Sequence, residues 1–232
     1  MRIFAISDLH LDSTNSKPMD IFGPVWENQT EEILASAEKL SITNDDVILL
    51  AGDLSWAMKI EDVKPDLDFL TKLPGKKVLV KGNHDYWWSG LSKVKAIMPE
   101  NCYVIQNNAV KIGNKVFCGT RGWDIDEGKG LSKEDKAIYD REVIRLGLSL
   151  AEAKKLASEG DEIICLMHYP PFNFSRKESD FTRLIEEAQV KKVIYGHIHN
   201  NFKGRSAVSE INGVNYYLTS CDFLHNSIIE IK

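Results

Sequence analysis

The sequence predicts an α/β protein. Three observations carry this: short apolar runs that read as buried strands recur along the chain, helix-like stretches separate several of them, and 232 residues that are 43% hydrophobic suffice for a full core. The runs lie at residues 2–6, 46–51, 77–81, 115–119, 162–167 and 192–195. Between the first two, the stretch from Asn28 to Leu40 puts Ile33, Ala37 and Leu40 near one helical face and leaves Glu31, Glu32, Glu38 and Lys39 for the other, so it reads as a packing helix. Ser132 to Glu159 reads as a second, solvated amphipathic helix carrying Ile138, Ile144, Leu148 and Leu156 among many charges, with Gly147 as a point of interruption. Towards the C-terminus, 208–211 and 214–218 flank Asn212-Gly213, a pair suited to the primed turn that matches strand twist, and so predict a hairpin. A last strand from Ser227 to Ile231 is expected to close the sheet. The stretches 11–27 and 120–131 read as long loops. With no repeat, low-complexity run or Gly/Ser-rich linker, a single domain over 1–232 is expected.

Composition narrows the partners. A formal net charge of -5 argues against a broad surface for nucleic acid, although a local basic cleft stays compatible with it. Cys102, Cys118, Cys165 and Cys221 are widely spaced and form no CxxC pair, so free thiols in a reducing cytoplasm fit better than a zinc knuckle or a disulfide scaffold. The opening apolar stretch ends at Ser7-Asp8, too early for a signal peptide or a membrane span, which points to a cytoplasmic protein without a membrane partner.

The chemistry concentrates at strand ends, where open α/β sheets bind their ligands. Five of the six histidines lie there. Asp8-Leu9-His10 follows the first run and would set two donors on one side of an extended chain. Asp53, in Gly52-Asp53 after the second run, suits either a turn cap or a carboxylate bridging two cations. Gly82-Asn83-His84-Asp85 follows the third run and offers an amide oxygen, an imidazole and a carboxylate able to fix its tautomer. His168 ends the fifth run; taken alone, it reads more readily as a structural histidine than as a ligand. In Gly196-His197-Ile198-His199, the two imidazoles either project to one side or are bent by Gly196 towards two adjacent metals.

In this order, Asp-x-His, Gly-Asp, Gly-Asn-His-Asp, a lone His and Gly-His-x-His, the five blocks resemble the calcineurin-like metallophosphoesterase superfamily from residue 8 to residue 199. The resemblance implies a four-layer αββα sandwich of two mixed sheets flanked by helices. It implies two transition metals about 3.5–4 Å apart, one held by Asp8, His10 and His199, the other by Asn83, His168 and His197, with Asp53 bridging. Mn, Fe or Zn suits such mixed donors better than Mg or Ca. The implied reaction is in-line attack of a metal-bridging hydroxide on a small phosphate mono- or diester, with His84 acting on the leaving oxygen or the phosphate and Asp85 orienting its ring.

The chain departs from the protein Ser/Thr phosphatase branch, whose second block continues Asp-Arg-Gly; here it reads Asp53-Leu54-Ser55-Trp56. Arg121 is the candidate replacement for the missing phosphate clamp. The tryptophans near these blocks suit either an aromatic wall beside the metals or ordinary packing, and His225 receives no role. A nuclease and a non-catalytic interaction scaffold are the competing readings.

Overall fold

The computed structural model describes residues 1–14, 17–126, 128–200 and 204–232. Its strands are β1 (Ile3–Ala5), β2 (Val47–Leu50), β3 (Lys76–Val80), β4 (Cys102–Ile105), β5 (Val110–Ile112), β6 (Lys115–Thr120), β7 (Glu162–Met167), β8 (Lys192–Tyr195), β9 (Val208–Ile211), β10 (Val214–Leu218) and β11 (Ile229–Glu230). Its helices are α1 (Gln29–Lys39), α2 (Lys64–Lys72), α3 (Leu91–Ile97), α4 (Lys133–Leu156) and α5 (Asp180–Glu187). One sheet runs β11-β1-β2-β3-β4 and the other β5-β6-β7-β8-β10-β9. Within each, the central strands are parallel; the antiparallel pairs lie at the edges, β11 against β1, β5 against β6, and β9 against β10.

Alternation along each strand builds the layers. On β2, Val47 and Leu49 face the core between the sheets with Val78, Phe117, Ile164 and Ile194, while Ile48 and Leu50 face a second core with Ile33 of α1, Leu67 of α2 and Val94 of α3. The far face of the other sheet packs Val116, Cys165 and Val193 against Leu146 and Leu150 of α4 and Phe181 of α5. Helices, sheet, sheet, helices is therefore the order of layers, as the resemblance implies.

All six apolar runs are strands within a residue or two at their ends, and the hairpin falls at its predicted residues, with Asn212 and Gly213 at φ 51° and 73°. Several expectations are corrected. Gly147 does not break α4, because the helix is held along its length by a buried face of Tyr139, Glu142, Leu146, Ser149, Leu150 and Ala153. Ile144, Leu148 and Leu156 lie instead on its exposed side. The final strand shrinks to Ile229–Glu230 and forms the edge beside β1. The loop expected over 11–27 contains two short 3-10 turns, Met19–Phe22 and Pro24–Trp26, and that over 120–131 ends in the α4 N-cap region; residues 15, 16 and 127 of these stretches lie outside the described residues. All four cysteines are buried and free.

Candidate metal centre

The donors sit on short segments at the C-terminal ends of β1, β2, β3, β7 and β8, and the backbone leaves the extended conformation at several of them. Asp8, His10, Asp53 and His197 have φ of 58°, 46°, 52° and 71°. The extended geometry expected for Asp8-Leu9-His10 is thus replaced by left-handed turns, which drive Leu9 into the core and leave both polar side chains on the site. Backbone bonds lace this block to the next: Asp8 N to Gly52 O at 3.0 Å, His10 N to Asp53 O at 3.0 Å and Leu11 N to Leu54 O at 2.9 Å.

Two of the block glycines are required by crowding. A Cβ on Gly82 would stand 2.0 Å from Asp53 Oδ1, and one on Gly196 2.2 Å from Asp8 Oδ2. Any larger residue would displace the carboxylates themselves. Both Asp8 oxygens accept from His197 N, at 3.0 and 3.1 Å, and Asp53 Oδ1 accepts from His84 N at 2.7 Å.

The side chains form two groups. In the first, His199 Nε2 lies 3.3 Å from His10 Nε2 and 3.5 Å from Asp8 Oδ1. In the second, Asn83 Oδ1 lies 2.7 Å from His168 Nε2 and 2.9 Å from His197 Nδ1, and these two nitrogens are 3.2 Å apart. Asp53 Oδ2 stands between the groups, 3.7 Å from His10 Nε2 and 3.4 Å from His168 Nε2. Of the two dispositions open to Gly196-His197-Ile198-His199, the bent one is observed, with one imidazole in each group. Asp8 also approaches His168 Nδ1 at 3.8 Å, but that nitrogen faces the Ala51 carbonyl at 2.9 Å. Its proton belongs on the Ala51 side, which leaves Nε2 as the donor atom. His199 is oriented in the same way: its Nδ1 bonds the buried Asp222 carboxylate at 3.0 Å.

A cation fits this arrangement on physical grounds. Among the described residues, buried Asp53 Oδ2 and His10 Nδ1 have no hydrogen-bond partner. Burial, then the charges of Asp85 and Asp8, push the Asp53 carboxyl well above its ordinary value, so its ionised form calls for a positive charge beside it. Burial lowers His10 and His168 to about 3 and His197 to about 4, keeping three rings neutral with lone pairs free for coordination. For His199 burial acts in the same sense, but hydrogen bonds to Asp222 and Asp8 and their charges prevail and raise it to about 10. A proton thus resides where positive charge is most wanted, and a metal ion would replace it. Asp8, His10 and His199 form one cluster with metal-ligand proximity, and Asp8, Asp53 and His168 another.

His84 is half-buried beside the first group, its ring 5.6 Å from His10 and 4.4 Å from Trp56. Burial, then the charges of His199 and Lys17, lower its pKa, and a neutral imidazole still carries one N–H to donate. Asp85 does not orient this ring. Its oxygens accept from the N–H groups of Asp53, Leu54, Ser55 and Gly82 and from Trp87 Nε1, and among the described residues it makes no hydrogen bond to the His84 imidazole. The fully buried carboxylate instead ties the second block to the third. Trp56 stacks on His10 at 4.9 Å, and Trp26 lies edge-on to it at 5.9 Å while also belonging, with Trp87 and Trp88, to the helix-side core. Arg121 turns to Glu142, 3.4 Å away, and lies over the Trp123 ring at 4.6 Å. Sequence reasoning misses Asp222, since its segment follows no strand legible as part of the site; the available signal is a carboxylate just beyond the second hairpin strand.

Convergent nitrogen and oxygen donors at the strand ends of an αββα sandwich define a metal-dependent enzyme. The family model for calcineurin-like phosphoesterases matches residues 1–201, and the chain belongs to that family. It is accordingly a metal-dependent phosphoric ester hydrolase. It is 26% identical over 222 residues to a probable cyclic nucleotide phosphodiesterase of Coxiella burnetii, covering 87% of this chain and 77% of that protein. It is 23% identical over 207 residues to another of that description from Vesicomyosocius okutanii, covering 85% and 78%. Among solved structures, the protein TT1561 of Thermus thermophilus superposes with a TM-score of 0.61 at 16% identity, covering 100% of this chain and 98% of that one. The phosphopantetheinyl hydrolase of Mycobacterium tuberculosis does so with 0.57 at 14%, covering 99% and 95%. These likenesses to solved structures concern the fold. No helix among the described residues is long and apolar enough to cross a membrane.

Proposed function

We propose that the chain works as a single-domain, two-metal phosphodiesterase on a small nucleotide-type diester in the cytoplasm. In this reading Asp8, His10 and His199 hold one cation, Asn83, His168 and His197 hold the other, and Asp53 is shared. The observation that carries it is the unpartnered Asp53 Oδ2, placed between ring nitrogens of both groups at 3.7 and 3.4 Å. Imidazole, amide and carboxylate together favour Mn, Fe or Zn. When bound, such ions supply positive charge that acidifies a shared water and offsets the charge of the phosphate oxygens.

The rest falls to the chain. Ala51 O and Asp222 hold the His168 and His199 rings with the correct nitrogen inward. Asp85 holds the loops that carry Asp53 and Asn83 at fixed separation. Trp56 and Trp26 shield His10 from water. His84 donates its N–H to a phosphoryl or leaving oxygen, a role that needs no charged ring. A groove of about 510 Å³ beside the first group is lined by His10, Met19 and Trp26 and also by Asp12, Asp20, Glu27 and Glu31, so it gives room to the uncharged part of the substrate while the phosphate belongs at its His10 end. The two relatives described as probable cyclic nucleotide phosphodiesterases support a small nucleotide diester, and the net charge of -5 disfavours a nuclease.

The test is elemental mass spectrometry on the purified protein together with hydrolysis of bis-p-nitrophenyl phosphate, p-nitrophenyl phosphate and 3′,5′-cyclic AMP. About two metal equivalents per chain and a preference for diesters are expected. Asp53→Ala should lose metal and activity together. His84→Ala should keep its metal while kcat falls about 10²–10³-fold, the loss expected for one hydrogen-bond donor to a developing oxyanion. No metal uptake and no hydrolysis with Mn²⁺, Fe²⁺ or Zn²⁺ overturns the reading.

A further inference from the structure

A second cavity, of about 120 Å³, opens at the C-terminal ends of β3, β4 and β6, and none of the candidate metal donors lines it. Lys81, Arg121 and Arg145 enter it, together with Ser89, Gln106 and Trp88. Among the described residues, the only carboxylate in its wall is Glu142, fully buried and already engaged: Oε1 accepts from Arg145 Nη1 at 2.6 Å and Arg121 Nη2 at 3.4 Å, and Oε2 from Thr120 Oγ1 at 2.5 Å. Three cationic side chains therefore face one anionic one. Lys81 Nζ is left with a 3.3 Å contact to the Trp88 carbonyl, and the buried Arg121 Nε and Ser89 Oγ have no partner among the described residues.

Water in the cavity would give Lys81 Nζ the acceptors it lacks without offsetting the excess positive charge. A compact anion with several acceptor oxygens does both, and guanidinium groups pair with it through parallel N–H bonds. We propose that this cavity is an oxyanion site that takes a phosphate- or sulfate-type tetrahedral group, separate from the metal centre. Its position couples it to that centre. Lys81 directly precedes Gly82-Asn83, and the Arg121 carbonyl accepts from His168 N at 3.1 Å and Tyr169 N at 2.9 Å. The same chemistry serves a further phosphate of the substrate or free phosphate left by hydrolysis.

The experiment is calorimetric titration of inorganic sulfate into the chelator-treated 232-residue chain at constant ionic strength. Without metal, its outcome does not depend on whether the phosphodiesterase reading holds. Wild type should bind sulfate saturably, and Lys81→Met and Arg121→Gln should each weaken binding by about tenfold or more. Ser89→Ala, which removes one unpaired hydroxyl and no charge, should fold normally and weaken it several-fold. Lys154→Met, on the exposed side of α4, should leave it unchanged. No saturable heat in wild type, or equal affinity in the Lys81, Arg121 and Ser89 variants, overturns the proposal. Displacement of sulfate by adenosine 3′,5′-bisphosphate assigns the site to a substrate phosphate; displacement by inorganic phosphate alone assigns it to the free ion.

Discussion

Asp8, His10, Asp53 and His197 occupy left-handed backbone that costs non-glycine residues about 1–3 kcal/mol each. That cost is sustained by the bonds around these residues, as where the Asp8 N–H meets Gly52 O while its carboxylate receives His197 N. These left-handed turns let donor atoms from separate strand ends converge on one site. Asp222 lies beyond residue 201, where the family match ends, and orients His199 through a 3.0 Å bond to Nδ1. Asp222→Ala is expected to fold and to bind Mn²⁺ or Zn²⁺ about 10–100-fold more weakly, measured by competition with a chromogenic chelator. Unchanged affinity would mean that Asp222 does no more than fill space beneath the ring.

At the scale of elements, the strand ends are kept in register by contacts outside the site. The β1 N-terminus is pinned to the turn before β2: Asp46 accepts from Arg2 N at 2.7 Å, Arg2 Nη2 at 2.8 Å and Thr43 N at 3.0 Å. Burial alone would raise the Asp46 carboxyl, but these hydrogen bonds and the Arg2 charge hold it well below the usual carboxylate range. A depressed folded-state pKa stabilises fully above the unfolded value, near 3.9 for aspartate, and the contribution fades as pH falls below it. Asp46→Asn should therefore cost about 1 kcal/mol at neutral pH, the low end for a charged hydrogen-bond cluster because the Arg2 side chain is 40% exposed. Urea unfolding at pH 7 and pH 3 measures this, and the gap between wild type and variant should narrow at the lower pH. An equal gap at both would show that Asp46 stabilises by shape rather than by charge.

Across the whole molecule, two sheets present their parallel C-terminal ends to one edge of the sandwich, so that donors distant in sequence meet. The same edge gathers the buried carboxylates Asp8, Asp53 and Asp85. Bound metal is therefore expected to stabilise the fold: at a hundred times Kd the gain is about 2.7 kcal/mol, or about 5–10 °C in Tm for a chain of this size. Differential scanning fluorimetry before and after chelation tests this, with Asp53→Ala expected to be insensitive. A Tm indifferent to metal in wild type would count against a resident cation.

Patterning alone determined the α/β class, six strands, the hairpin, two helices and the positions of the donors, because apolar runs and turn residues act locally. It did not disclose β4, β5, α2, α3 or α5. These are short, and such elements owe their stability to the partners they pack on more than to their own propensity. The face of α4 was misread for the same reason: Ile144 and Leu148 are apolar but exposed, while Glu142 is buried because Thr120, Arg121 and Arg145 wait for it. Only tertiary structure decided that Asp85 binds backbone rather than His84 and that Asp222 supports His199. Each depends on the angle at which the chain leaves a strand and on contacts between segments far apart, for which local sequence carries no signal.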